Sequence, residues 1–249
     1  MGLTDRPGLL RAQLDDGVAL LTMDDPTDHN ALSHAMVNAL GDAFSAIARA
    51  DDIGAVVLAG SSEMFSSGAS RGVIDDLTSG RRDSSELLLP RLLLDCPVPC
   101  LAAMAGHAVG GGLALGLAAD FVLLGLESRY CLNFVDLGFT PGMGTTRLLE
   151  HVLSPAIAHE LLFSGEARLG RDFVGKSGIN YILPRAEVMP KALDLAARIA
   201  EKPRAVLTAL KRTLSIRRRE AFESARTLET LMHTISFARW NQQARKQES

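Results

Sequence analysis

The stretch Ala102-Ala103-Met104-Ala105-Gly106-His107-Ala108-Val109-Gly110-Gly111-Gly112-Leu113-Ala114-Leu115 decides how this chain is read. It continues an apolar run of strand length over 98–105, turns at Gly106-His107 and reaches three consecutive glycines. An apolar helix over 113–119 starts directly from them. Glycine has no Cβ, so such a junction lets the backbone approach a ligand closely. A helix that begins there presents unpaired N–H groups and the positive end of its dipole. Together these favour an anion, either a phosphate or an oxyanion. No Gly-Lys-Ser/Thr comes after it, so this is not a Walker loop. Spacing alone leaves open whether the junction holds an anion or only packs a strand tightly on a helix.

Outward from this junction, strands and helices alternate. Residues 9–22 read as one or two strands with a turn at Asp15-Asp16-Gly17. Leu32, Met36, Leu40, Phe44 and Ile47 recur at helical spacing. Residues 55–59 form a short apolar strand, 61–80 read as loop, and 86–94 as a helix ending before Cys96-Pro97. Residues 121–124 are a buried strand, and 138–144 a second glycine-rich turn, with Thr145 or Thr146 as candidate cap for the segment beyond it. From 155 the pattern is helical, over 155–164, 187–201, 203–216 and 218–240. Alternation and then a run of helices predicts an α/β fold built on parallel strands.

Composition narrows the function classes. Among 249 residues, 47% hydrophobic content sets disorder aside. The near balance of 26 basic and 29 acidic residues argues against a nucleic-acid partner. The three cysteines, Cys96, Cys100 and Cys131, suit a reducing compartment, and Cys96 and Cys100 have no second ligand pair for zinc. The apolar stretch 98–126 is broken by the glycines, His107 and Asp120, which argues against a membrane span. The N-terminus lacks the basic start and long apolar run of a signal peptide, so the expected location is cytoplasmic.

The central stretch, with Ala118-Ala119-Asp120 after it, resembles the signature of the crotonase superfamily. Pro26, Asn30, Ala31 and Leu32 resemble its "P…NAL" motif, and Phe65-Ser66-Ser67-Gly68-Ala69 its first oxyanion loop. Gly138-Phe139-Thr140-Pro141-Gly142-Met143-Gly144 resembles its "GxxPGxGG" loop. The resemblance spans roughly 10–215. It implies a ββα-superhelix core over 1–185 and a C-terminal helical region of the same domain over 186–249. It also implies a homotrimer or dimer of trimers. Carried over by position, the oxyanion-hole donors are the N–H groups of Ala69 and Gly111, which strengthen their bonds as a thioester carbonyl becomes an enolate.

Hydratases of the family place glutamates where Ala114 and Phe134 stand here, so simple hydration is disfavoured. Leu94-Asp95-Cys96-Pro97-Val98-Pro99, the glycine stretch, Asn133-Phe134 and the 138–144 loop are similar to one subgroup. Its members decarboxylate 3-methylglutaconyl groups carried by acyl carrier protein in polyketide β-branching. The resemblance thus implies an acyl carrier protein or CoA thioester as partner, with no metal or redox cofactor. His233, in Leu228-Glu229-Thr230-Leu231-Met232-His233, resembles the subgroup's catalytic histidine. Glu229, four residues earlier, is expected to orient that imidazole and raise its pKa. Phe222, Ala225, Leu228, Met232 and Ile235 are the expected packing stripe of the same helix.

The subgroup's catalytic lysine falls on Asp83 here, and Arg81 or Arg82 is the candidate anchor for the leaving carboxylate. The alternative places both arginines in a solvated loop. His107 reads as a structural turn residue, and Asp136 as a candidate pocket residue. Lys211, Arg212 and Arg217 to Arg219 read as a solvated face or as a landing patch for an acidic carrier protein or for CoA phosphates. Two further readings stay open: an enoyl-CoA isomerase or hydratase, and a catalytically silent homologue with a binding role.

Overall fold

The computed structural model describes residues 3–82 and 88–247, with side chains through 238. β1 (Leu10–Asp15) and β2 (Val18–Met23) form an antiparallel hairpin. Asp16 and Gly17 close it with φ of 42° and 77°, the left-handed pair that a two-residue hairpin turn demands. α1 (His34–Arg49) is capped by Ser33, whose hydroxyl accepts from Met36 N. Its buried face is Met36, Ala39, Leu40, Ala43, Phe44 and Ile47, the predicted stripe.

Three similar units come next. Each has one strand in a large sheet, a short strand in a second sheet, and a helix. They are β3 (Ala55–Ala59), β4 (Met64–Ser66) and α2 (Arg71–Thr78); then β5 (Cys100–Met104), β6 (His107–Val109) and α4 (Gly111–Leu117), preceded by α3 (Leu89–Asp95). The third is β7 (Phe121–Gly125), β8 (Arg129–Cys131) and, after a long loop, α5 (Thr145–Leu148). α6 (Pro155–Ser164) precedes β9 (Arg168–Leu169) and β10 (Tyr181–Leu183). The large sheet has the order β1-β2-β3-β5-β7-β10 and the small one β4-β6-β8-β9. This is the crotonase fold expected from the motifs.

The central strands are buried on both faces and alternate between two cores. Val56, Leu58, Ala102 and Met104 face α1 and α4. Ala55, Val57, Ala59, Leu101 and Ala103 face α7 (Arg185–Ala200) through Val188, Ala192 and Ala196. α7 thus covers the sheet itself. α8 (Arg204–Leu214) and α9 (Ile216–Gln247) complete the chain.

Several expectations are corrected. Segment 61–80 carries β4 and α2, and His107 lies in β6 rather than in a turn. β9 and β10 lie between the predicted helical segments 155–164 and 187–201. α3 begins at Leu89, and the start of the predicted 86–94 helix lies outside the described residues. Gly144, with φ 79°, caps α5 in place of Thr145 or Thr146. Part of the basic run turns inward, Lys211 buried and Arg218 and Arg219 half-buried, while Arg212 and Arg217 are exposed. Lys211 and Arg218 both pair with Asp120, Lys211 Nζ also donates to Leu93 O at 2.9 Å, and Arg219 pairs with Asp95 at 3.2 Å. Asp120 in turn accepts from Cys100 N at 2.8 Å, so these cations tie α8 and α9 to the sheet. A landing patch made of the whole run is therefore excluded.

Candidate active site

Parallel pairing of β4 with β6 sets two strand-to-helix junctions side by side. Ser66 pairs with Ala108. Ala69 and Gly111 each lie the same short step further along the chain, so the register carries them to one place. A Cβ built on Gly111 would lie 3.9 Å from Ala69 N. Gly68, at φ 90°, and Gly110, at φ 51°, make the turns. A Cβ on Gly68 would meet Val109 O at 2.7 Å, so no other residue fits this approach. The first intrahelical bond of α4 runs from Ala114 N to Gly110 O. Among the described residues, neither Ala69 N nor Gly111 N has a hydrogen-bond partner.

Both residues border a cavity of about 90 Å³. Its wall comes from Ile74 and Leu77 of α2, from Phe134, Phe139 and Met143, and from Phe237 of α9, with Asn133, Thr78 and His233 as polar members. Among the described lining residues there is no Lys, Arg, Asp or Glu. At the two hydratase positions, Ala114 is buried within α4 and Phe134 lines the cavity. The sequence pattern does not single out Ile74, Leu77 and Thr78, because the helix carrying them lies in a polar, glycine-bearing segment.

His233 lines the cavity and is 4% exposed. Its Nε2 lies 2.9 Å from Thr140 O. A carbonyl only accepts, so Nε2 carries the proton and Nδ1 is the acceptor of the neutral ring. That Nδ1 is buried and has no partner among the described residues. The ring stacks on Phe237 at 4.9 Å. Burial pushes the His233 pKa down, and the Thr140 bond opposes this only in part.

The expected role of Glu229 is corrected. Its carboxylate does not bond His233. It accepts from Gly144 N at 2.8 Å, Thr146 N at 3.0 Å and Thr146 Oγ1 at 2.8 Å. It does not raise the His233 pKa, which is lowered. The buried face of α9 runs through Phe222, Ala225, Glu229 and His233, while Leu228 and Ile235 are exposed. The predicted stripe therefore lies partly on the wrong side of the helix.

Of the two readings of Arg81 and Arg82, the structure fits the exposed one and not the carboxylate anchor. Arg81 Nε pairs with Asp76 at 2.6 Å and Arg82 contacts His34 Nδ1 at 2.8 Å. The Asp76 carboxyl is held low by Arg81 and then by His34. Neither arginine borders the cavity of Ala69 and Gly111; Arg82 lines a separate one with Val37 and Leu89. Asp83 lies outside the described residues. His107 has a structural place, its Nδ1 accepting from Arg129 N at 2.8 Å. Asp136 is exposed, turned toward Gly165 and absent from the cavity wall. Among the described residues no group of three His, Cys, Asp or Glu side chains is placed to hold a metal ion.

The family model for enoyl-CoA hydratase/isomerase matches residues 13–247. The chain belongs to this family. As a crotonase it is 36% identical to the bacillaene synthase decarboxylase PksI of Bacillus subtilis, over 90% of each chain. Its structure superposes with a TM-score of 0.85 on the ECH2 decarboxylase domain of CurF from Lyngbya majuscula, at 37% identity over 92% of this chain and 94% of that one. A protein from a dehydratase/decarboxylase enzyme couple involved in polyketide β-branching gives a TM-score of 0.87 at 35% identity, over 92% and 94%.

Proposed function

We propose that this crotonase decarboxylates a 3-methylglutaconyl-type acyl thioester in polyketide β-branching, the acyl group arriving on the phosphopantetheine of an acyl carrier protein. The observation that supports the reading is the β4–β6 register, which brings Ala69 and Gly111 side by side at the wall of one cavity. The likeness to decarboxylases of β-branching selects this reaction within the family.

The chemistry comes from the site. The thioester oxygen accepts from both N–H groups. The bond from the γ-carbon to the carboxylate breaks, and its electron pair moves through the alkene onto that oxygen. CO₂ leaves and a dienolate remains. Each preorganised donor contributes about 3–4 kcal/mol as charge builds on the oxygen. An apolar wall of Phe134, Phe139 and Phe237 disfavours a localised carboxylate relative to the delocalised dienolate. His233 supplies the proton that restores a neutral thioester. Its ring is neutral when the site is empty of charge, and a bound carboxylate raises its proton affinity. The proton is therefore taken up with the substrate. The small cavity suits a short acyl group near the thioester.

The family resemblance implies a homotrimer or dimer of trimers. Exposed Val206, Leu210 and Leu214 on α8, with Leu231 and Ile235 on α9, offer apolar surface for such contacts. No described helix is long and apolar enough to cross a membrane. Synthetic 3-methylglutaconyl-carrier protein tests the function. Release of CO₂ with the matching mass loss is the expected result. An unchanged mass with a shifted double bond would assign an isomerase instead, and no turnover with either carrier protein or CoA thioesters would assign a silent homologue.

A further inference from the structure

We propose that Glu229 is a positioning residue that clamps the 142–146 turn and so holds the Gly111 amide and His233 in register. The inference rests on the reading of Ala69 and Gly111 as the oxyanion donors. Glu229 is 3% exposed, yet all three of its bonds come from neutral donors of one short turn, Gly144 N–H, Thr146 N–H and Thr146 Oγ1–H. A buried carboxylate so placed binds a backbone conformation rather than a countercharge.

That conformation needs holding. Met143 and Gly144 are consecutive left-handed residues, at φ 61° and 79°, and Met143 is not glycine. Met143 forms cavity wall packed against Gly111: a Cβ on Gly111 would lie 2.9 Å from Met143 Sδ. The other end of the same loop is tied to α9 as well. His233 Nε2 donates to Thr140 O at 2.9 Å, and the Ser236 and Thr140 hydroxyls lie 3.2 Å apart. Glu229 and His233 are one helical turn apart on the buried face of α9. The loop is therefore a strap fastened to α9 at both ends, with the proton-bearing ring at one end and the wall over Gly111 at the other. Glu229 fastens the end next to the oxyanion donors.

The test is Glu229→Gln, which keeps the shape. Glutamine offers one acceptor oxygen, and its NH₂ then faces an N–H donor at the other position. The main readout is the infrared carbonyl stretch of bound 3-methylcrotonyl-pantetheine labelled with ¹³C at the thioester carbonyl, which cannot lose CO₂. In the wild type this stretch moves to lower frequency; in the variant half or more of that shift is lost. The kcat for CO₂ release falls roughly 10–100-fold, as expected for a misplacement of up to about 1 Å. The Kd of the labelled thioester changes by less than about threefold, because uniform binding is untouched. Thr146→Val, which removes one donor only, moves both readouts the same way by less, and stands in if Glu229→Gln does not fold. A variant with the wild-type carbonyl shift and kcat overturns the inference, as does a rate loss equal to the unfolded fraction. A wild type that leaves the carbonyl unshifted sinks the oxyanion reading, and this inference with it.

Discussion

Gly112→Ala tests the packing that places the proposed second donor, the Gly111 N–H. A Cβ at position 112 would lie 2.6 Å from Ser66 Cβ and 2.7 Å from Ser66 O. Ser66 has little room to yield. It is fully buried, its Oγ donates to Asn30 O at 2.7 Å, and the same Oγ accepts from Gly68 N at 3.2 Å. Carbon atoms rest at about 3.5 Å or more, so roughly 0.9 Å must open between α4 and β4. The start of α4 carries Gly111 N with it. A hydrogen bond of about 2.9 Å stretched by that amount exceeds 3.5 Å and is lost. The expected cost in kcat is about 100-fold, or ~2.7 kcal/mol. Overpacking also destabilises the fold by about 1–3 kcal/mol, a Tm drop of roughly 3–10 °C that leaves the protein folded at room temperature. The assay pairs CO₂ release with thermal melting. Gly41→Ala in α1 is the control, since a Cβ there meets nothing within 4 Å. It keeps full activity and gains about 0.5–1 kcal/mol of stability. A Gly112→Ala enzyme with the wild-type rate would refute the argument that this contact sets the oxyanion geometry.

Replacing His233 by Ala removes the proposed proton donor, and kcat falls about 10²–10⁴-fold while the bound thioester keeps its carbonyl shift; single-turnover CO₂ release together with the infrared stretch checks this. Burial holds the His233 pKa below the unfolded value of about 6.5. The unfolded chain therefore binds a proton that the folded chain refuses, and stability falls as pH drops below about 6.5. Melting curves at two pH values should show a shallower acid loss in His233→Gln than in the wild type; equal slopes would count against the buried neutral ring. Lys211→Met leaves Asp120 with Arg218 alone and Leu93 O without its ammonium donor, and costs about 1–3 kcal/mol, read by urea unfolding, with activity per folded molecule retained.

Much of the fold was legible because local rules govern it. The Asp16-Gly17 turn, the apolar stripe of α1 and the glycines at the start of α4 each arise from backbone sterics or periodicity within a few residues. β4 and α2 were not legible: a three-residue strand is too short to show alternation, and α2 buries only Val73, Leu77 and Thr78 along a polar face. Glu229 and His233 show the same limit at the site. Their spacing on one helix face suggests a pair, yet the carboxylate bonds Gly144 and Thr146 instead.

The sequence by itself determined that two glycine-containing junctions exist, and which residues could not be hydratase glutamates. Only the tertiary structure decided that Ala69 and Gly111 lie side by side at one cavity, and that Glu229 bonds a loop rather than its neighbour on the helix. The physical reason is that strand register and helix docking are set by the summed packing of distant segments. A buried polar group then bonds whichever donors that packing brings to it.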